Sequence, residues 1–211
     1  MRSDASAHLQ PAVITAVESG MRCFPAASLE EALALARELR HCLLVGEIGG
    51  AVPEGFDLTN SPAAIAQFDG TARNVVLLSS SGTRMICDAR AHHTVYVASL
   101  RNFRAQADAL AGRDVTLLGA GSRGQFREED QLCCAWIAER LVAAGHAADD
   151  ETVRLIERWH GRSADAIAGS ESVRYVTRTG QRVDLEFILD HVDDVASVFV
   201  VSGLEIVRES P

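Results

Sequence analysis

The sequence predicts an α/β fold: a largely parallel or mixed sheet with helices on both faces, in three layers, as one domain over residues 1–211. Three observations predict it. Short apolar runs of strand length, among them Cys42–Val45, Asn74–Ser79 and Thr94–Ala98, recur along the chain. Segments of helical period lie between them, the pattern of βα units. The runs are apolar throughout rather than alternating, as expected of strands covered on both faces.

Taken in order, residues 12–19 (AVITAVES) read as a helix stopped by Gly20, and Arg22–Ala26 as a short strand. Ser28 and Glu31 form a Ser-x-x-Glu capping box, with Leu29, Leu33, Ala36 and Leu39 at helical spacing behind it. After Cys42–Val45 comes a glycine-rich loop, and Asn60 or Ser61 followed by Pro62 reads as an N-cap with proline at the first helical position. Asn74–Ser79 leads through Ser80–Arg84 into a short helix, and Asn102 caps another that runs towards Gly112. Val115–Leu118 reads as a further buried strand. Leu132, Trp136, Ile137 and Leu141 mark a long amphipathic helix over Glu129–Val142, Asp149–Trp159 supplies the next, and His160-Gly161 closes it. In the tail, Asp184–Leu189 reads as a helix or turn, and Ser197–Ser202 with Leu204–Val207 as strands about Gly203, a hairpin or a sheet edge.

Composition narrows the function classes. With 47% hydrophobic and 23% charged residues, the chain has the make-up of a soluble globular protein large enough for a real core. No apolar run reaches the roughly 18–20 residues of a membrane span, and MRSDASAHLQP lacks the pattern of a signal peptide, so the expected compartment is the cytoplasm. The five cysteines lack metal-ligand spacing and read as reduced core residues. A net charge of −9 without a basic, aromatic-interleaved stretch argues against nucleic acid. All twenty basic residues are arginine, which excludes Schiff-base lysine chemistry and the P-loop lysine. A homo-oligomer is left open.

Three stretches carry candidate chemistry. Glu47 stands directly after a strand, where open α/β sheets place their ligands, and Asp57 and Asn60 follow in its loop. Asp57 reads equally as an Asx-turn residue. Ser81, Gly82, Thr83 and Arg84 form a strand-to-helix turn able to cradle phosphate, or a plain hydroxyl-rich turn. In GAGSRGQFREEDQLCC (119–134), Arg123 is an anion-binding cation on a flexible loop, while Glu129 and Asp130 head a helix. Arginine pairs with phosphate oxygens and hard carboxylates hold magnesium, so these parts suit a metal-dependent phosphate site, with dipole capping as the simpler reading of the acids. His160 reads as a dipole partner at a helix C-terminus, and His92-His93 point to opposite faces of a strand.

With these residues in view, the sequence resembles the 2-phosphosulfolactate phosphatase family, which acts in one route to coenzyme M. The resemblance lies in GEIGGAVPEGFDLTNSP (46–62), LLSSSGTR (77–84), VYVASLRN (95–102) and LLGAGSRGQFREEDQLC (117–133), with an echo in WHG (159–161). It implies a Mg²⁺-dependent phosphatase acting on a phosphate ester of a small sulfonated hydroxy acid. Glu47, Asp57, Asn60, the Ser81–Arg84 turn, Arg123, Glu129 and Asp130 match the family's polar positions. Family members open with a strand ending in an Asp-x-x-Arg-Ala-type motif, whereas this chain begins just before the matching helix, so the resemblance implies an N-terminally shortened member. The expected chemistry places Mg²⁺ among Glu47, Asp57, Glu129 and Asp130, with Glu129 or Asp130 activating water and Arg84 and Arg123 stabilising phosphoryl charge. Alternatives are a phosphatase for another small phosphorylated hydroxy acid, and a truncated, non-catalytic anion-binding member.

Overall fold

The computed structural model describes residues 11–69, 73–80, 82–121, 127–169 and 182–209. Its elements are α1 (Pro11–Glu18), β1 (Arg22–Ala26), α2 (Leu29–Glu38), β2 (Cys42–Gly46), α3 (Pro62–Ala66), β3 (Asn74–Leu78), α4 (Gly82–Arg90), β4 (Tyr96–Val97), α5 (Phe103–Ala109), α6 (Glu128–Ala143) and α7 (Asp150–Trp159). A 3₁₀ turn (Ala164–Gly169), α8 (Arg182–Asp190), β5 (Phe199–Ser202) and β6 (Glu205–Arg208) complete the described chain.

Local signals set the helix starts. Ser28 Oγ accepts the Glu31 N–H at 3.1 Å, and Glu31 Oε2 accepts the Ala27 N–H at 2.7 Å, so the box closes one residue upstream of the N-cap. Ser61, rather than Asn60, caps α3, with Pro62 at its first position. Asn102 stands at the N-cap of α5 but turns its side chain back to accept the Ser99 N–H at 2.8 Å.

The sheet is mixed, in the order β2-β3-β1-β6-β5-β4. β2, β3 and β1 pair in parallel, Gly46 and Ala26 both lying in register with Leu78. The tail forms an antiparallel hairpin, β5–β6, turning at Gly203. That hairpin occupies the middle of the sheet and not its edge. Ile206 of β6 pairs with Cys23 of β1, and Phe199 of β5 with Val97 of β4. Val115–Leu118, expected as a strand, joins no ladder; Val115 and Leu117 are instead half-buried against the apolar cluster that includes Tyr96 and Leu100. An apolar run reports burial, and here burial is met by packing between layers.

Three apolar clusters define the layers. One face of the whole sheet, from Leu43 and Val45 across Cys23 and Ile206 to Val97, packs on α1 and Ile65 of α3. The opposite face is shared: Phe24, Val76 and Leu78 meet α2, and Tyr96 and Val200 meet α5, α6 and α7. The five cysteines are free thiols, and burial pushes those of Cys23 and Cys134 up to about 12.

A buried cation ties the layers together. Arg101 is 8% exposed and pairs with both carboxylate oxygens of Asp194, at 2.9 and 2.7 Å, while its Nη1 donates to Thr15 of α1 at 2.9 Å. Removing one partner strands the other charge in a poorly hydrated site. Because Asp194 retains some solvent contact, Asp194→Ala is expected to cost about 2 kcal/mol, below the range for fully buried pairs, read as a lowered urea midpoint at unchanged slope.

Candidate active site

The carboxyl ends of β2 and β3 bring Glu47 and Ser80 together. Glu47 Oε1 accepts the Ser80 N–H at 2.9 Å; its Oε2 accepts the Ser80 hydroxyl at 2.9 Å and the Gly50 N–H at 2.7 Å. Ser80 Oγ in turn accepts the Gly49 N–H at 2.9 Å. This half-buried carboxylate therefore fixes the glycine loop to the turn that starts α4. Gly46 makes the approach feasible, since a Cβ there would overlap the carbonyl oxygen of Leu78.

Asp57 sits lower, along the open flank of β2. Its Oδ2 accepts the Leu44 N–H at 2.8 Å, and its own N–H donates to the Leu44 carbonyl at 2.8 Å, which covers backbone groups of an edge strand. Asn60 is half-buried just before the Ser61 cap. Of the phosphate-cradle candidates, Gly82 and Thr83 are buried in the first turn of α4. Thr83 Oγ1 accepts the Ser79 N–H at 2.9 Å, and Ser79 Oγ accepts the Thr83 N–H at 3.0 Å, so both groups of Thr83 are engaged by the strand end. Arg84 is exposed, 3.7 Å from Asp88. Ser81 and Arg123 lie outside the described residues.

Glu129 and Asp130 form a second group, in the first turn of α6. Asp130 is 5% exposed and accepts the Gly121 N–H at 2.7 Å, which ties the glycine loop to the helix. Burial, with the neighbouring Glu129 charge, raises its carboxyl from 3.8 to about 7, against the lowering effect of the Gly121 bond and Arg127. A helix N-terminus favours a carboxylate, so the direction shows that desolvation dominates here. Three buried side-chain atoms among the described residues lack a partner: Arg90 Nη1, Gln106 Nε2 and Glu129 Oε2. Only the last is a carboxylate oxygen, free to meet a cation or a water.

Among the described residues no hydrogen bond or ion pair joins the Glu47–Ser80 group to Glu129 or Asp130, and no three His, Cys, Asp or Glu side chains converge. α6 packs on the β4–β5 side of the sheet, and β1 and β6 separate that side from β2–β3. His160 Nδ1 lies 2.6 Å from Glu139 on the exposed face of α6 and α7. Asp184, read from sequence only as part of a helix or turn, bonds Ser61 and Ala63 at the end of the Glu47–Asn60 loop. Its position in a helix first turn was the one available signal, and nothing local could name a partner so far along the chain.

The profile of the 2-phosphosulpholactate phosphatase family matches residues 12–202. A protein of Symbiobacterium thermophilum, named as a probable 2-phosphosulfolactate phosphatase, is 31% identical over 185 residues, 83% of this chain and 79% of its own length. A similarly named protein of Thermotoga maritima is 28% identical across 94% of this chain and 88% of its own. A Synechococcus relative of the same name is 36% identical over 56% of this chain, and the match spans only 49% of that relative. With its motifs in order and nearly its whole described length matched, the chain belongs to the 2-phosphosulpholactate phosphatase family and is by class a phosphoric monoester hydrolase.

Proposed function

We propose that this chain hydrolyses 2-phosphosulfolactate to sulfolactate and inorganic phosphate, with Mg²⁺ as cofactor, in the cytoplasm. The observation that carries the reading is the pair in the first turn of α6: a buried Asp130 carboxyl poised near neutrality beside a Glu129 oxygen without a partner. General acid–base groups work best with a pKa near the operating pH. Five free thiols fit a reducing compartment, and no helix among the described residues is long and apolar enough to cross a membrane.

The donor chemistry fits magnesium, which commonly takes one or two protein carboxylates and fills its sphere with water and substrate oxygens. Glu129 would hold it through the unpartnered Oε2; Glu47 and Asp57, each already accepting backbone N–H groups on the β2–β3 side of the sheet, are the alternative holders rather than its partners. When bound, Mg²⁺ offsets phosphate charge and makes a coordinated water more acidic. Asp130 takes the proton of the attacking water, and as the P–O bond breaks on the opposite side of phosphorus the ester oxygen takes a proton from solvent, to which Asp130 later releases its own. Arg84, at the open end of α4, and Arg123 pair with phosphoryl oxygens, and Asn60 with the turn at Ser81 and Gly82 orients the substrate. Thr83 holds that turn in shape.

The test is phosphate release from 2-phosphosulfolactate with Mg²⁺, with EDTA, and in Arg123→Ala. Expected are release with Mg²⁺, loss with EDTA, and a fall in kcat/KM of about 10²–10³ for the variant. Turnover unchanged by EDTA would overturn the metal assignment. Faster release from another phosphorylated hydroxy acid would move the substrate, and binding without release from any of them would leave an anion-binding protein.

A further inference from the structure

α3 has only five residues, too few to hold a helical turn without outside contacts. Its entry is nevertheless bonded from several directions. Ser61 Oγ accepts the Ala64 N–H at 3.0 Å, and Thr59 Oγ1 accepts the Ser61 N–H at 3.3 Å. The third contact comes from far along the chain: Asp184, in the first turn of α8, accepts the Ser61 hydroxyl proton on Oδ1, and the same oxygen accepts the Ala63 N–H at 3.3 Å. One half-buried carboxylate oxygen thus gathers donors from the start of α3 while standing near the positive end of its own helix.

The loop that α3 terminates runs from Glu47 to Asn60. Its front is fixed by Glu47 on Ser80 and Gly50, and its flank by Asp57 on Leu44. Asn60 has Ser61 as its next anchor, and Ser61 is held by Asp184. We propose that Asp184 is a positioning residue for substrate binding, setting Asn60 through Ser61 so that the loop is held in its substrate-ready form before substrate arrives. This rests on the phosphatase reading, in which Asn60 touches substrate and Asp184 does not.

A preformed loop lowers the cost of binding and leaves the chemical step alone, so its loss falls on KM. Asp184→Ala is expected to raise KM about tenfold with kcat within about twofold, the size of one or two charge-assisted hydrogen bonds. Asp184→Asn keeps an oxygen that accepts both donors and is expected to restore KM to within about twofold of the parent. Ser61→Ala is expected to raise KM as well, and the double variant to fall short of the sum of the two single effects, because Ser61 and Asp184 share one bond while each also holds an amide of α3 by itself.

The experiment is steady-state kinetics on the full chain and these variants, paired with hydrogen exchange at the Ala63 and Ala64 amides without substrate. An unchanged KM in Asp184→Ala, a fall in kcat alone, or Asp184→Asn as impaired as the alanine variant would overturn the inference. Should Asp184→Ala fail to fold, Asp184→Asn and Ser61→Ala carry the same comparison. If the parent releases no phosphate, the functional reading falls, and exchange still decides the clamp: protection of the Ala63 amide lost about tenfold in Asp184→Ala and kept in Asp184→Asn supports it, and unchanged protection in Asp184→Ala refutes it.

Discussion

Asp130→Asn is expected to stabilise the metal-free chain by about 2–4 kcal/mol at pH 8, to change nothing at pH 4, and to lower phosphate release by about 10²–10⁴-fold. The first two follow from one shift. Asp130 titrates near 7 in the folded chain against an ordinary value of 3.8, so between those values the native state binds more protons than the unfolded chain. Stability therefore falls as pH rises through that window and levels off above it. A displacement of about three units corresponds to at most about 4 kcal/mol, and the remaining hydration of the site trims it. Asparagine keeps an oxygen for the Gly121 N–H and has no proton to lose, so its urea midpoint in EDTA should lack the decline that Asp130 gives the parent between pH 4 and 8. Parallel profiles for the two proteins would show that Asp130 titrates normally. In the proposed reaction Asp130 carries a proton near neutral pH, a task that accounts for keeping a destabilising group there.

What could be read from sequence followed the range of the interactions involved. β1, β2, β3, α2 and α7 were legible because their signals are local: apolar runs, the Ser28–Glu31 box, and Asp149 capping Thr152. The place of the tail hairpin was not, since it depends on Ile206 finding Cys23 and Phe199 finding Val97 from opposite ends of the chain. Val115–Leu118 carries a strand's composition without a neighbouring ladder to join. At the site, Glu47 stood out as a carboxylate at a strand end, but its partner Ser80 and the crossing to β3 required the sheet order. Glu129 and Asp130 were visible as acids at a helix head. The burial of Asp130, which raises its carboxyl, was not, since it depends on tertiary contacts such as the bond from the Gly121 N–H.

The second large effect is expected at Gly46, where Gly46→Ala should cost more than about 3 kcal/mol, beyond the usual penalty for overpacking. Gly46 ends β2 in register with Leu78, and a Cβ would overlap the Leu78 carbonyl oxygen and lie 2.9 Å from its carbonyl carbon. Neither backbone can give way cheaply. Leu78 O accepts the Glu47 N–H at 3.0 Å, and the Gly46 N–H donates to Leu58 O at 2.9 Å, so parting β2 from β3 breaks the Glu47–Leu78 bond and draws Glu47 off Ser80. Gly49→Ala is the control. Gly49 has a φ of +62° with nothing within 4 Å of the place an added methyl would take, so alanine there meets only the left-handed backbone penalty of about 1–2 kcal/mol. Urea unfolding of the two variants separates the effects: a deficit at Gly46 well above that at Gly49 identifies close approach of the strands as the constraint. Equal deficits would mean that the strand ends spread without loss, and the Glu47 clamp would then tolerate movement that its hydrogen bonds argue against.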